Sequence, residues 1–261
     1  MLTKNQVEAL AAELVEADRK RGTVRRITAR YPNATVEDSY AIQTTWSEWK
    51  AAAGHKIVGH KIGLASATTE DMTGITDPNH GVIFDDTIFD SRIQIDSERR
   101  SDVRVQVELA LVLSTPLQGP DRTVDDVLAA IGYAVPALGI LNSSMEVRGR
   151  TSVDTIGANA DYGATVIGTT RMRPDEIDLD WIPGVLWKNG KVVETGVSAG
   201  VVASAVRRVA WLANKLDQHG SRLEAGDLIL AGSFTRPVWV NGGDDLLCDF
   251  GPMGEVRCRF V

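Results

Sequence analysis

The chain has 261 residues, 43% of them hydrophobic, with 28 basic against 35 acidic side chains and a formal net charge of −7. That length supports one large core or two lobes, and the acidic balance excludes the basic footprint of a nucleic-acid binder. No apolar run matches a bilayer and no charged-then-apolar leader is visible, so the expectation is a soluble cytoplasmic protein with a small-molecule substrate, no nucleic acid and no membrane.

Thr3-Lys4-Asn5-Gln6 is a capping box, and Val7, Leu10, Ala11 and Leu14 follow at helical spacing, which predicts a first helix to about Arg19. Arg19, Lys20, Arg21, Arg25 and Arg26 close it and lead into a loop ending at Tyr31-Pro32-Asn33. Cations near a helix C-terminus explain them better than a phosphate site. Thr35-Val36-Glu37-Asp38 is a second capping signal, and Tyr40, Ile42, Trp46 and Trp49 predict a helix to Ala53. Residues 1–55 thus read as a helical lobe ahead of a core domain over 56–261.

Ile57 to Leu64 reads as a short strand punctuated by glycines. Within it Lys61 is unusual, since lysine is seldom buried unless paired, although its stem can also snorkel. Ala65 to Gly74 is helix or loop, Thr76 to Gly81 is rich in turn residues with His80 as a loop residue, and Val82-Ile83-Phe84 and Ile88-Phe89 are short strands. Arg92 to Asp102 is a charged, exposed connection.

The most regular strand signal is Val103 to Leu113. Odd positions 103 to 111 are apolar, while even positions read Arg104, Gln106, Glu108, Ala110. Gln106 and Glu108 therefore share a face, about 7 Å apart. Pattern alone favours a strand with one solvated face; the functional reading sends both side chains into a polar cavity. Thr123-Val124-Asp125-Asp126 opens a helix through Ile131, Tyr133 to Leu141 is a buried strand, and Ser143 to Thr151 reads as mobile. Thr155 to Ala160 is a small-residue turn before a strand at Ala164 to Ile167. Leu186 to Val193 is a hairpin on an Asn189-Gly190 type I′ turn. Gly200 to Leu216 is an amphipathic helix ended near Gly220, and short strands fill the remainder. Cys248 and Cys258 lack CxxC spacing and read as reduced, packed thiols.

Taken together, Gly59-His60-Lys61-Ile62-Gly63-Leu64, the Val105 to Leu113 strand, Glu194-Thr195-Gly196, Val209 to Leu216, Leu223-Glu224-Ala225-Gly226 and Gly232-Ser233-Phe234-Thr235-Arg236-Pro237 closely resemble the 2-oxopent-4-enoate hydratase and 4-oxalocrotonate decarboxylase family. Within it the chain is most similar to the 2-oxo-hept-4-ene-1,7-dioate hydratases. The resemblance covers essentially the full length. It implies an α+β fold, a fumarylacetoacetate-hydrolase-like mixed β-roll with an N-terminal helical lobe, and a homo-oligomer. It also implies a divalent metal that chelates the substrate's carboxylate and its 2-oxo or 2-enol oxygen, and a lysine, here Lys61, that stabilises an enolate or shuttles a proton.

The departures from that pattern concentrate at the site. The family's metal triad takes two glutamates from the alternating strand and a third from a Pro-Ala-Leu-Glu strand; here the positions are Gln106, Glu108 and, in Pro136-Ala137-Leu138-Gly139, a glycine. The acidic Pro-Asp-Tyr-Gly loop is Pro78-Asn79-His80-Gly81, the Ile-Asp stretch is Leu141-Asn142, and the Asp-Asn-Ala turn is Ala158-Asn159-Ala160. One carboxylate and one amide oxygen make a poor cage for a hard dication. The expectation is therefore no cofactor, with at most weak magnesium or manganese at Glu108. Catalysis then falls to Lys61, Glu108 and His80, and substrate binding to His60, Gln106, Asn79, Asn142, Asn159, Ser233, Thr235 and Arg236. The favoured function is a lyase or isomerase working through an enolate on a small 2-oxo or 2-hydroxydienoate acid without the usual metal. A non-catalytic scaffold that partners a catalytic relative, or an ordinary metal-dependent hydratase, are the competing readings.

Overall fold

A computed structural model of the chain describes residues 1–20, 22–63, 78–97, 102–199 and 202–261. Helix α1 spans Lys4–Lys20, and its start is the expected capping box: Thr3 N donates to Gln6 Oε1 at 2.8 Å and Gln6 N to Thr3 Oγ1 at 3.4 Å. Helix α3, Val36–Ala52, starts on the Thr35–Asp38 box. Between them the expected loop contains one helical turn, α2, Ile27–Arg30. Its driving force is tertiary, because Ile27 is fully buried among Val7, Leu10, Leu14 and Ile42. That small core is completed by Met145 and Val153, from beyond the central strands.

The strands form two sheets. The larger runs β2 (Asn79–Phe84), β1 (Ile57–Gly63), β10 (Leu228–Ser233), β5 (Arg104–Leu113), β6 (Ile131–Leu141), β7 (Tyr162–Ile167), β3 (Ile88–Asp90), with β11 (Val238–Trp239) added to β5. The smaller runs β4 (Ile93–Ile95), β13 (Glu255–Phe260), β12 (Asp245–Asp249), β8 (Pro183–Lys188), β9 (Lys191–Val197). Pairing is mixed: β1 with β10, β3 with β7 and β4 with β13 are parallel, the other ladders antiparallel. The main core lies between the sheets. There odd residues of β5 meet Leu246, Phe250, Val256 and Phe260, and helices α4 (Val124–Ala130) and α6 (Val202–Asp217) close it. A second apolar layer, with Ala110, Val112, Val135 and Leu230, lines the opposite face of the large sheet.

Four expectations change. His80 is not in a loop: β2 begins at Asn79 because Ile62 and Gly63 pair with His80 and Asn79, a long-range ladder that outweighs local turn chemistry. The charged connection after Arg92 carries β4, recruited by β13. Residues 143–151, read as mobile, are pinned: Arg150 donates to Ser143 Oγ, Met145 O and Asp161 Oδ2. The small-residue turn contains helix α5, Ser152–Gly157, then Asn159, Ala160 and Asp161 with φ of 55°, 54° and 56°. Left-handed backbone at an alanine is unfavourable unless its neighbours hold it, and Asn159 does so by gripping β2. The Ala65 to Gly74 segment lies outside the described residues. Cys248 and Cys258 are free and buried, and burial pushes the Cys258 thiol up to about 12.

Candidate active site

The pleat decides which side chains meet. Lys61 pairs with Gly81 of β2 and Leu230 of β10, Gln106 with Gly139, Glu108 with Ala137, and Gly139 with Thr165. Cross-strand partners project to the same side of a sheet. Lys61, Asn79, Gln106 and Glu108 therefore converge on the face away from the main core. Strand β5 has both faces covered, so the solvated-face reading fails and the even positions point inward.

Lys61 Nζ donates to Glu108 Oε1 at 2.6 Å and lies 3.5 Å from Gln106 Oε1. Both members of the ion pair are buried, Glu108 completely. The pair exists because Gly139 has no side chain: a Cβ there would stand 2.3 Å from Glu108 Oε1 and 3.7 Å from Lys61 Nζ. A buried ion pair needs further hydrogen bonds to offset desolvation, yet Glu108 Oε2 has no partner. Asn79, 1% exposed, leaves both Oδ1 and Nδ2 without hydrogen bonds. Unmet polar capacity at this density is what a ligand site presents.

The same donor set can be tested against a divalent ion by its chemistry. A magnesium-like ion takes several oxygens and favours carboxylates. Among the described residues the partners beside Glu108 are a neutral amide and an ammonium, whose charge opposes a dication's. These residues do not fit that ion. The metal-capable cluster among the described residues joins half-buried His55 to exposed Asp85 and Asp86, and Lys50 Nζ lies 2.8 Å from Asp86.

Other predicted site residues lie elsewhere. His60 and His80 project to the opposite face of the β1–β2 ladder from Lys61, as their pairing with Val82 and Ile62 dictates. The His80 ring stacks on Tyr40 at 4.9 Å and meets His60 at 5.8 Å and Trp211 at 6.4 Å edge-on. Burial pulls the His60 imidazole down to about 4 and that of His80 to about 3. The sheet separates His80 from the Lys61–Glu108 pair, so the two are not brought together for proton transfer. Ser233 Oγ donates to Val107 O and Thr235 O, and Val107 N donates to Thr235 Oγ1. The Ser-Phe-Thr turn thus braces β5 between Gln106 and Glu108. Arg236 is exposed and pairs with Glu194 at 2.8 Å. Asn159 Oδ1 accepts from Val82 N and its Nδ2 donates to Val82 O, so its amide clamps β2. Asn142 and Asn159 line a cavity of about 70 Å³ between the helical lobe and the sheet, with Trp46, Lys50 and Tyr162.

The sequence reading named Arg104 only as part of a pattern. It shares the face of Gln106 and Glu108, its side chain is 15% exposed, and its Nη2 lies 3.3 Å from Asp102 and 3.5 Å from Asp161. Its position two residues before Gln106 was the available signal. Burial raises the Asp161 carboxyl, against the pull of Arg150 and Arg104.

Residues 60–261 match the fumarylacetoacetate (FAA) hydrolase C-terminal family. The chain is 41% identical to the 2-oxo-hept-4-ene-1,7-dioate hydratase of Escherichia coli, covering 100% of both, and 32% identical to a 2-keto-4-pentenoate hydratase of Paraburkholderia xenovorans (strain LB400), over 99% of this chain and 96% of that one. It superposes on the 4-oxalocrotonate decarboxylase of Pseudomonas putida G7, solved with magnesium and adipate, with a TM-score of 0.95 at 31% identity, over 100% and 99% of the two chains.

Proposed function

Because the chain belongs to the fumarylacetoacetate hydrolase family and is a lyase of the hydratase and decarboxylase kind, we propose that it acts on a 2-oxo-enoate or its 2-hydroxydienoate enol, with Lys61 as the cation of the site. The carrying observation is the Lys61–Glu108 pair closed over Gly139. Tautomerisation breaks the enol O–H bond and forms a C–H bond along the diene, through an enolate. The Lys61 ammonium offsets that enolate's charge in a site screened from water, where a fixed charge acts most strongly. Glu108 holds the ammonium in place, and the Asn79 amide, donor and acceptor both unmet, orients the substrate's carboxylate. Water addition and loss of carbon dioxide both proceed from such species.

Turnover of 2-hydroxy-2,4-dienoates is expected to survive an excess of chelator and to fall about 1,000-fold in Lys61→Ala. Activity abolished by chelator and restored by magnesium or manganese overturns the reading. A companion measurement needs no turnover. Gln106→Glu combined with Gly139→Glu supplies two further carboxylates, and calorimetry is expected to detect manganese binding in that variant and far weaker binding in the parent protein.

A further inference from the structure

We propose that the turn from Ser233 to Thr235 is a positioning joint, through which the smaller sheet fixes Val107 of β5 and with it the reach of Glu108 to Lys61. This rests on the functional reading above and gives a role to two stretches which that reading leaves unused, Glu194-Thr195-Gly196 and Gly232 to Pro237.

The ladder beside the ion pair is interrupted. Strand β10 pairs with β5 through Leu230 and Ala110, then shifts register before Ser233 meets Glu108, and β11 resumes the pairing at Val238 against Val105. Gly232, at a φ of 146°, sits in the bulge. Opposite the gap lies Val107, the residue between Gln106 and Glu108. Its backbone is met there by the turn instead of a strand. Val107 N donates to Thr235 Oγ1 at 3.3 Å, and Val107 O accepts from Ser233 Oγ at 3.0 Å and from Phe234 N at 3.1 Å. The turn is closed on itself as Thr235 N donates to Ser233 Oγ at 3.2 Å. Because Gln106 and Glu108 are bonded to that one residue, a shift of Val107 carries both side chains with it.

What holds the turn lies in the other sheet. Gly184 of β8 and Gly196 of β9 are cross-strand partners, and Phe234 lies against the pair. A Cβ on Gly196 would stand 2.0 Å from Phe234 O, and one on Gly184 would stand 2.6 Å from the Phe234 ring and 2.8 Å from Val107 Cγ1. The ring also meets Phe250 edge-on at 6.1 Å, and Arg236 pairs with Glu194 at the rim. Two glycines thus admit the turn to close contact with the small sheet, and the hydroxyls pass that contact on to β5. The Lys61–Glu108 bond of 2.6 Å is short, so a displacement of a fraction of an ångström weakens it.

Thr235→Val keeps the shape of the side chain and removes the acceptor. Its kcat on 2-hydroxy-2,4-dienoates is expected to fall about 30-fold with KM within about twofold. Thr235→Ser, which keeps the hydroxyl, restores kcat to within about threefold, and Gly196→Ala, which displaces the turn from the other side, reproduces the fall. Matching melting profiles confirm that the variants fold. Crystal structures read the joint without turnover: the Lys61 Nζ to Glu108 Oε1 separation, 2.6 Å here, is expected to exceed about 3.2 Å in Thr235→Val. A KM raised about tenfold at unchanged kcat makes Thr235 a substrate contact and overturns the proposal. So does an ion pair left in place in Thr235→Val, or full activity in Gly196→Ala. A parent protein that turns over no dienoate defeats the functional reading, and the separation in the crystals still decides this one.

Discussion

The two faces of β1 bury polar groups one residue apart and treat them in opposite ways. On one face Lys61 keeps an anionic partner at 2.6 Å, and Asn79 and Glu108 on that face carry unpartnered atoms. On the other, His80 lies between Tyr40 and Trp211 and meets His60 edge-on, and each histidine leaves Nδ1 unpartnered. There, burial drives the imidazoles towards the neutral form. A buried titratable group is thus poor evidence of chemistry by itself. Unpartnered polar atoms occur on both faces, so what distinguishes them is charge: a compensated ion pair on one, rings driven neutral by burial on the other.

Breaking the ion pair tests that distinction most severely. Lys61→Met leaves Glu108 as an uncompensated buried charge and is expected to destabilise the protein by about 3–5 kcal/mol in denaturant titrations, whereas Lys61→Met with Glu108→Leu recovers most of that loss without recovering turnover. Equal stability of the single and double variants would show that the charges do not need one another.

The histidine face predicts a pH dependence. A folded-state pKa lowered from 6.5 to about 4 for His60 means that the unfolded chain takes up the proton first. Stability is therefore full above pH 6.5 and falls as the pH drops towards 4, by about 3 kcal/mol for that ring. Urea midpoints measured across that window are expected to decline, and His60→Phe with His80→Phe to flatten the decline. The smallest effect belongs to the surface. Arg236→Ala removes an exposed ion pair with Glu194 and is expected to shift stability by less than about 1 kcal/mol, with kcat/KM within about twofold. A large loss of turnover would return Arg236 to the site.

The covalent order of the chain determined much of this. Capping boxes at Thr3, Thr35 and Thr123 set helix starts through contacts three residues apart, and alternation from Val103 to Leu113 placed Gln106 and Glu108 on one face. Those are local rules, legible without neighbours. The motif resemblance likewise identified Lys61, Glu108 and the exchange of a glutamate for Gly139. Only the tertiary structure decided that His80 and Lys61 lie on opposite sides of a sheet, because register is set by pairing between distant segments. It also placed the hydroxyls of Ser233 and Thr235 on the backbone of β5 and the amide of Asn159 on that of β2, contacts between segments far apart in the chain. The room above Gly139 that lets a lysine and a glutamate meet arises where side chains from β1, β5 and β6 converge.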